Sequence, residues 1–592
     1  MKIFNKIKNG SIVAIAMLAT SCMDLQPLSS LGDEYVWTSD SNFQLFANQF
    51  YAWDRGFNQF LNDNSYSELR ADLVANYGSS NTYSQGNHTV PNTDSQYGTC
   101  YKRIYYCNLL LENAANYSDQ ASISTPMGEA YFYRAMMHFE LARLYGDAII
   151  LTETLDIDSE KLYSTQDNRD AVIDQVVADL QMAAELLPEN STETGLLNRY
   201  IALSNLARIA LWEGTWEKFH NYCSGGAEDE NGNFSYDNFG SYTLDQTIGN
   251  TERSTTYLTL AKEAAQEVMS SGKYELFRNE TLGDDSYRCM FFLDDTAQCN
   301  IANVGTSANK EYIHVDRIKV GDDTSFSITA SLMNNAWVVT RKMADMYLDS
   351  NGLPISDNID RSGYTSEFSN RDPRMAMSLL VRSQTYWNTT INTCRIYWTS
   401  DDDQFLQTKT NCDYTGYWNR KWGAERRADG GSEAQDFPLL RYAEILLTYA
   451  EASYELNGAI TNTELDESIN LIRDRVSMPS LTNEFVTNNQ LCMREEIRRE
   501  RTVELYAEAL RLDDIRRWAV GSTEMPGDLM GVQYTGTIYA TNWASSSSSS
   551  VDSNGDIVFR TGRVWNDTKH YLYPLPKDEL ELNPNLRQNA GW

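Results

Sequence analysis

Histidine is scarce in this chain, with five in 592 residues. None stands in an HExxH arrangement and no two cysteines are spaced CxxC, so the usual zinc-ligand patterns are missing. Also missing are a GxSxG nucleophile elbow, a glycine-lysine phosphate loop and a cysteine nucleophile among neighbouring histidines. Acids number 82. Glycoside hydrolysis needs two of them a set distance apart across a cleft, and no local pattern singles out a pair. The expectation is a protein without catalytic residues, cofactor or metal. Basic residues number only 49. That deficit argues against nucleic acid or an anionic membrane surface as a partner.

The first residues form a leader. Lys2, Lys6 and Lys8 precede an apolar run, Ile12–Ala19, then Thr20-Ser21-Cys22. The run is far short of the roughly 20 residues a spanning helix needs. A charged start, a short apolar run and small residues before a cut site read as a secretory signal over 1–21. Cysteine directly after them makes it a bacterial lipoprotein signal, with Cys22 acylated as the new N-terminus and the only membrane anchor expected. Asp24 resembles, on its own, the acidic surface-export signal of such lipoproteins. Removing the leader takes three lysines and no acids, leaving 46 basic residues against 82 acidic ones, a net charge of −36.

The mature chain, about 570 residues, exceeds one compact core. Aromatic residues make up 12 %, with 36 Tyr and 13 Trp. Rings with a polar handle suit stacking on sugars or holding peptides. Eight cysteines besides Cys22 allow disulfides. Cys100 and Cys107 are one helical stretch apart, roughly 10 Å, too far to bridge. Cys289 with Cys299 and Cys394 with Cys412 are better candidates.

Helical spacing organises much of the chain. It predicts helices over Glu34–Trp53, Thr99–Ala115 and Phe437–Gly458. The last has Pro438 in its first turn and Gly458 as its left-handed terminus. A second helix restarting at Asn462 and running to Val476 makes a hairpin with it. Gly128–Tyr145 with Arg169–Leu187, and Leu197–Trp216 with Tyr257–Ser270, read as two further hairpins of tetratricopeptide type. Tyr77–Gly98 reads as an irregular loop, and Thr340–Leu348 as a short helix. Ile391–Trp398 alternates like a strand. Arg494–Trp518 reads as a charged, solvated helix held by structural ion pairs. Gly527–Thr561 reads as a loop insertion, in which Asp552-Ser-Asn554-Gly-Asp556 is a turn rather than a calcium loop, since the terminal Glu is missing.

Several stretches carry a family resemblance in their wording. They are EAYFYRAMMHFELARLYGD (129–147), Asn309–Ile313, Ser369–Arg374, Gly416–Trp422 and RYAEILLTYAEASYELNG (441–458). To these add Arg494–Trp518, which keeps Glu500, Arg501, Glu504, Glu508, Arg511, Asp514, Arg517 and Trp518, and the tail Tyr571–Asn589. In this order they resemble the SusD/RagB family of nutrient-binding outer-membrane lipoproteins. The chain departs from the pattern at Ala507 and Ala509, where Phe and Gly are usual.

The resemblance implies a mainly α fold, a tetratricopeptide-like helical-hairpin superhelix supporting an irregular, loop-rich ligand-binding half with few short strands. It implies an N-terminal region over 22–275 and a C-terminal region over 276–592, the latter holding the hairpin 437–476 and a helix over 488–521. It implies a non-catalytic receptor, lipid-anchored and surface-exposed on the outer membrane, acting as a lid over a SusC-like TonB-dependent transporter. The ligand would be an oligosaccharide, with peptide as the alternative of the RagB branch, or the lid could bind its transporter alone. Tyr77, Asn81, Tyr83, Tyr287, Asn335 and Trp337 lie in the two regions where the family tends to place its binding loops. They are the expected ligand residues, with Tyr83 and Trp337 expected to contribute to binding and not to stability.

Overall fold

The structure, a computed structural model, describes residues 37–592 apart from 63–64, 77, 225–250, 296–302, 319–327, 330–336, 356–358, 364–365, 381–384, 389–392, 397–414, 424–432, 538 and 541–549. The leader, Cys22, Tyr77, Asn335, Cys299 and Cys412 lie outside the described residues.

Helices dominate. The main ones are α1 (Asp40–Ala47), α2 (Ser95–Ala115), α3 (Ser124–Tyr145), α4 (Arg169–Leu186), α5 (Arg199–Ser224), α6 (Thr251–Ser270) and α7 (Tyr442–Asn457). The later ones are α8 (Ile469–Arg475), α9 (Met493–Glu504) and α10 (Arg511–Arg517). Their starts are written in the sequence: Asp94 accepts from the Gln96 amide ahead of α2, and Asn168 accepts from the Asp170 and Ala171 amides ahead of α4. Helix α3 packs on α4 and α5 on α6, as the two expected hairpins, and α6 packs on α7. Close approach needs small residues. Ala443, Ala450 and Ala452 on α7 are fully buried, and a β-carbon on Gly214 of α5 would lie 2.9 Å from the Leu258 nitrogen of α6.

Four helical expectations change at their ends or middles. Phe437–Arg441 is not the first turn of α7 but a strand, pairing antiparallel with Tyr312–Asp316. Residues before proline are pushed to extended backbone, and the pairing partner lies far away in sequence, invisible to local spacing. The restart at Asn462 splits into Asn462–Asp466 and α8. Thr461 and Glu464 form a reciprocal capping box at its head. The long helix over 488–521 breaks into α9 and α10, because Ala507 and Ala509 adopt left-handed backbone, φ +57° and +64°. The break is held by the Trp422 indole N–H donating to the Ala507 carbonyl (2.9 Å) and by the Ala509 amide donating to Glu68 (2.8 Å). Likewise α1 ends at Ala47 and passes into a 3₁₀ turn, Asn48–Trp53.

Strands are short. In chain order they are β1 (Val74–Asn76), β2 (Tyr312–Asp316), β3 (Trp337–Val339), β4 (Thr385–Asn388) and β5 (Thr393–Ile396). They continue with β6 (Tyr417–Trp418), β7 (Phe437–Arg441), β8 (Leu529–Gln533), β9 (Ser550–Val551) and β10 (Asp556–Arg560). Sheet orders are β1-β3-β6, β8-β10-β9, β2-β7 and β4-β5. The stretch 527–561 is therefore a small antiparallel sheet as well as a loop. Its Asp552 turn closes on itself, Asp552 accepting from the Asn554 and Asp556 amides. One core cluster unites α1 to α7 with Tyr571–Leu575 of the tail, and a second collects Phe57, Trp337, Trp422 and Ile557 of the loop-rich half. The first core draws on both sides of residue 275, which is no gap between cores. Among the described residues no helix is long and apolar enough to cross a membrane.

Candidate functional site

The residues with the most recognisable wording turn inward. Arg441, at the end of β7, donates to Glu508 (2.8 Å), Glu311 (2.6 Å) and Glu504 (2.8 Å). Arg475 of α8 pairs with the same Glu311 (2.8 Å) and with Glu504. Arg374 joins Asp372, Glu500 and Glu504, Arg473 takes Glu500 (2.7 Å), and Lys421 takes Glu508 (2.7 Å). No side chain of this network is more than 7 % exposed. Buried charge is tolerated only when paired and hydrogen-bonded, and here five cations meet five carboxylates. Burial alone would raise Glu504; Arg475, Arg441 and Arg374 outweigh it and hold its carboxyl well below the usual range. Burial pulls Lys421 down to about 8, with Glu508 opposing. The expected solvated helix is thus a buried one, and its ion pairs are structural. Arg371 of the Arg-Asp-Pro-Arg stretch works similarly, donating to the Ala344 (2.7 Å) and Tyr347 (2.8 Å) carbonyls that close a helix.

The same inward turn takes two expected ligand residues. Trp337 on β3 is 2 % exposed, against Phe60 at 5.0 Å between ring centroids. Tyr287 is 1 % exposed, donates to the Glu504 carbonyl (3.3 Å) and carries Arg475 over its ring at 4.8 Å. Neither can stack on a ligand at the surface; they hold the floor of the loop-rich half. Asn81 is the cap of a short helix, Thr82–Gln85, accepting from the Tyr83 and Ser84 amides. Tyr83 is half-buried, stacked on His88 (4.2 Å) and tilted against Tyr573 (4.4 Å). Burial, then His570 and Arg516 nearby, pull His88 down to about 3, so it is a neutral ring in this stack.

What this loop offers to solvent is polar. Ser79, Ser80, Thr82, Asn87 and Thr89 are exposed. The loop is seated by Gly86, left-handed at φ +69°, where any β-carbon would collide with the Val564 carbonyl. The Val564 amide in turn donates to the Gln85 carbonyl at 3.1 Å. The register Asn76↔Trp337 brings the entry to this loop beside the start of β3. The sequence reading looked to aromatic and amide side chains in this loop and did not single out its exposed Thr82 and Asn87.

A polar cleft of about 180 Å³ opens elsewhere in the same half, between Asp295, Thr306, Asn309, Tyr312, Arg317 and Asp436. Asp295 accepts from the Thr306 amide and hydroxyl (both 2.7 Å), and Arg317 lies between Asp295 (3.9 Å) and Asp436 (3.6 Å). Burial pushes Asp436 up to about 6, with Arg317 opposing. Its residues are scattered over the sequence, so no motif announces them. In the helical half, Asp170, Glu213 and Glu217 form the one buried group among the described residues with three possible metal-ligand atoms within 4.8 Å of one another. Arg169 pairs with Glu213 and Arg253 approaches Asp170 at 3.4 Å, supplying positive charge there already.

Comparison with known proteins agrees with this architecture. A family model described as "SusD family" matches residues 304–592, and one described as "Starch-binding associating with outer membrane" matches 25–211. A curated relative, SusD-like protein P2 of Formosa agariphila, is 22 % identical over 98 % of this chain and 99 % of its own length. The crystal structure of a SusD-like carbohydrate binding protein from Bacteroides fragilis superposes with a TM-score of 0.72 at 23 % identity, covering 93 % of this chain and all of that one. A surface glycan-binding protein A from Bacteroides fluxus superposes at 0.58 with 17 % identity, covering 94 % and 100 %.

Proposed function

The chain belongs to the SusD/RagB family, and on that premise we propose that it is a cell-surface lipoprotein that captures oligosaccharide and delivers it to a partner transporter. The observation that carries this reading is the extent of the match: two family models together span both halves, and a relative aligns nearly end to end. Cys22 anchors the protein in the outer membrane. The partner is a SusC-like TonB-dependent transporter, over which the protein sits as a lid. The chain performs no chemistry on its ligand. A shallow surface gives weak, fast binding, and docking on the transporter then raises the effective ligand concentration at the pore.

The ligand surface centres on the loop after β1. Its exposed hydroxyl and amide side chains are suited to sugar hydroxyls, and the buried Trp337 and Tyr287 keep the scaffold rigid beneath it. Tyr77 and Asn335 stay in the proposed set of ligand residues. The test is the double variant Thr82→Val/Asn87→Ala. Both residues are exposed, so the melting temperature should hold while glycan affinity falls at least tenfold. Unchanged affinity would remove the loop from the site.

A further inference from the structure

A second pocket, of about 100 Å³, lies away from that loop, between the 3₁₀ turn after α1, helices α2, α3 and α5, and the β2–β7 pair. Trp53, Tyr66, Tyr133, Met136 and Met137 make its apolar wall. Arg55, Arg103, Arg208, Gln96, Asp54 and Glu140 make its polar one.

The two carboxylates are already engaged. Asp54 accepts from the Tyr133 hydroxyl (3.0 Å) and faces His314 Nε2 (3.2 Å). Glu140 accepts two bonds from Arg143 (3.0 and 2.7 Å), one from Gln96 (3.3 Å), and pairs with Arg55. Arg208 is fixed by Glu444, its Nε donating at 2.7 Å, and by the Leu439 carbonyl (2.6 Å). That leaves Arg103. Among the described residues it has no carboxylate within 4.0 Å; its guanidinium lies 5.3 Å from the Trp53 ring centroid and 3.8 Å from Met137 Sδ. Burial lowers Arg103, and the Arg55 charge lowers it further. A planar, always-charged fork facing a cavity beside an aromatic ring is built to take a carboxylate.

We propose that this pocket takes the carboxylate of a uronic acid residue on Arg103, with the sugar ring, too large to be enclosed in about 100 Å³, lying partly outside it beside Trp53. The ring follows from the aromatic wall and from the Gln96 amide at its edge, which suits hydroxyls. The net charge of the whole chain does not forbid an anion here. At physiological ionic strength charges beyond about 8 Å are screened, so the groups lining the pocket decide. The site is separate from the loop surface, and either can fail without the other.

Calorimetry on the full mature chain tests it with glucuronate, glucose and a galacturonate trisaccharide. Wild-type protein should bind glucuronate at least tenfold more tightly than glucose. Arg103→Gln should lose that preference and Arg103→Lys should recover part of it, with ligand-free melting temperatures unchanged because Arg103 makes no ion pair among the described residues. Binding of the free acid identifies a single sugar acid as sufficient, and tighter binding of the trisaccharide identifies that acid as the end of an acidic glycan. Equal binding of glucuronate and glucose overturns the proposal on wild-type protein alone, whatever the variants do. A preference that survives in a folded Arg103→Gln overturns it too.

Discussion

Glu504 makes the residue-scale case. Its carboxylate is met by Arg441, Arg475 and Arg374 in the interior, where removing its charge takes one partner from each of three buried arginines and leaves the network with an excess positive charge. Breaking a buried pair costs about 3–5 kcal/mol. Glu504→Gln should therefore lower the free energy of unfolding, read from a urea titration at pH 7, by that amount, and a variant as stable as wild type would refute the network's role. Carboxylates of this kind also set the acid limit. Burial raises Glu451 and Glu140, but Arg517 and Arg143 outweigh it and hold both down at about 2. A depressed carboxyl contributes stability above its ordinary range, near pH 4.5, and loses it as pH falls toward 2. Glu68 runs the other way. Burial pushes it up to about 7, with the bond from the Ala509 amide opposing. Its contribution is complete at pH 4.5 and declines as pH rises to 7. Glu68→Gln keeps an acceptor for Ala509 and removes the ionisation. Thermal melts at pH 4.5, 6 and 8 should show the variant gaining on wild type as pH rises; a constant difference would contradict the assignment.

At the scale of elements, two glycines separate strain from collision. Gly458 ends α7 at φ +66° with nothing within 4 Å of a β-carbon, so Gly458→Ala should cost only the left-handed penalty, about 1–2 kcal/mol. Gly86 has the same backbone and the Val564 carbonyl in the way. Gly86→Ala should unseat the loop after β1, weakening ligand binding more than Gly458→Ala does at equal loss of stability. Binding isotherms of both variants decide this. The elements that sequence reading foresaw are those with local causes: the α3–α4 and α5–α6 hairpins from periodicity, and the Gly458 terminus from residue type. What it missed has distant causes. Pro438 is in a strand because Val315 pairs with it across the chain. The helix over 494–518 breaks where Glu68 and Trp422 catch its backbone. The site suffered most, since an aromatic residue in a loop-rich region has no local mark to tell the surface of the floor from its underside. Trp337 was taken for the one and is the other. Trp337→Ala should accordingly destabilise by about 3–5 kcal/mol, as core tryptophans do, contrary to the expectation of an unchanged melting temperature.

For the whole molecule, two hydrophobic cores and a buried network of five cations and five carboxylates make the support, and the motifs that identify the family serve it. The side chains proposed for the ligand surface carry no fixed wording, so the family is legible in the scaffold motifs and the ligand is a matter for binding experiments. The most direct test of a glycan receptor is affinity electrophoresis and calorimetry of the signal-less protein, starting at Met23. The panel is soluble polysaccharides beside a mixed peptide pool. Retardation and heat with one class of glycan, and none with peptides, is the expected result. Heat from peptides alone, or from neither, would contradict it.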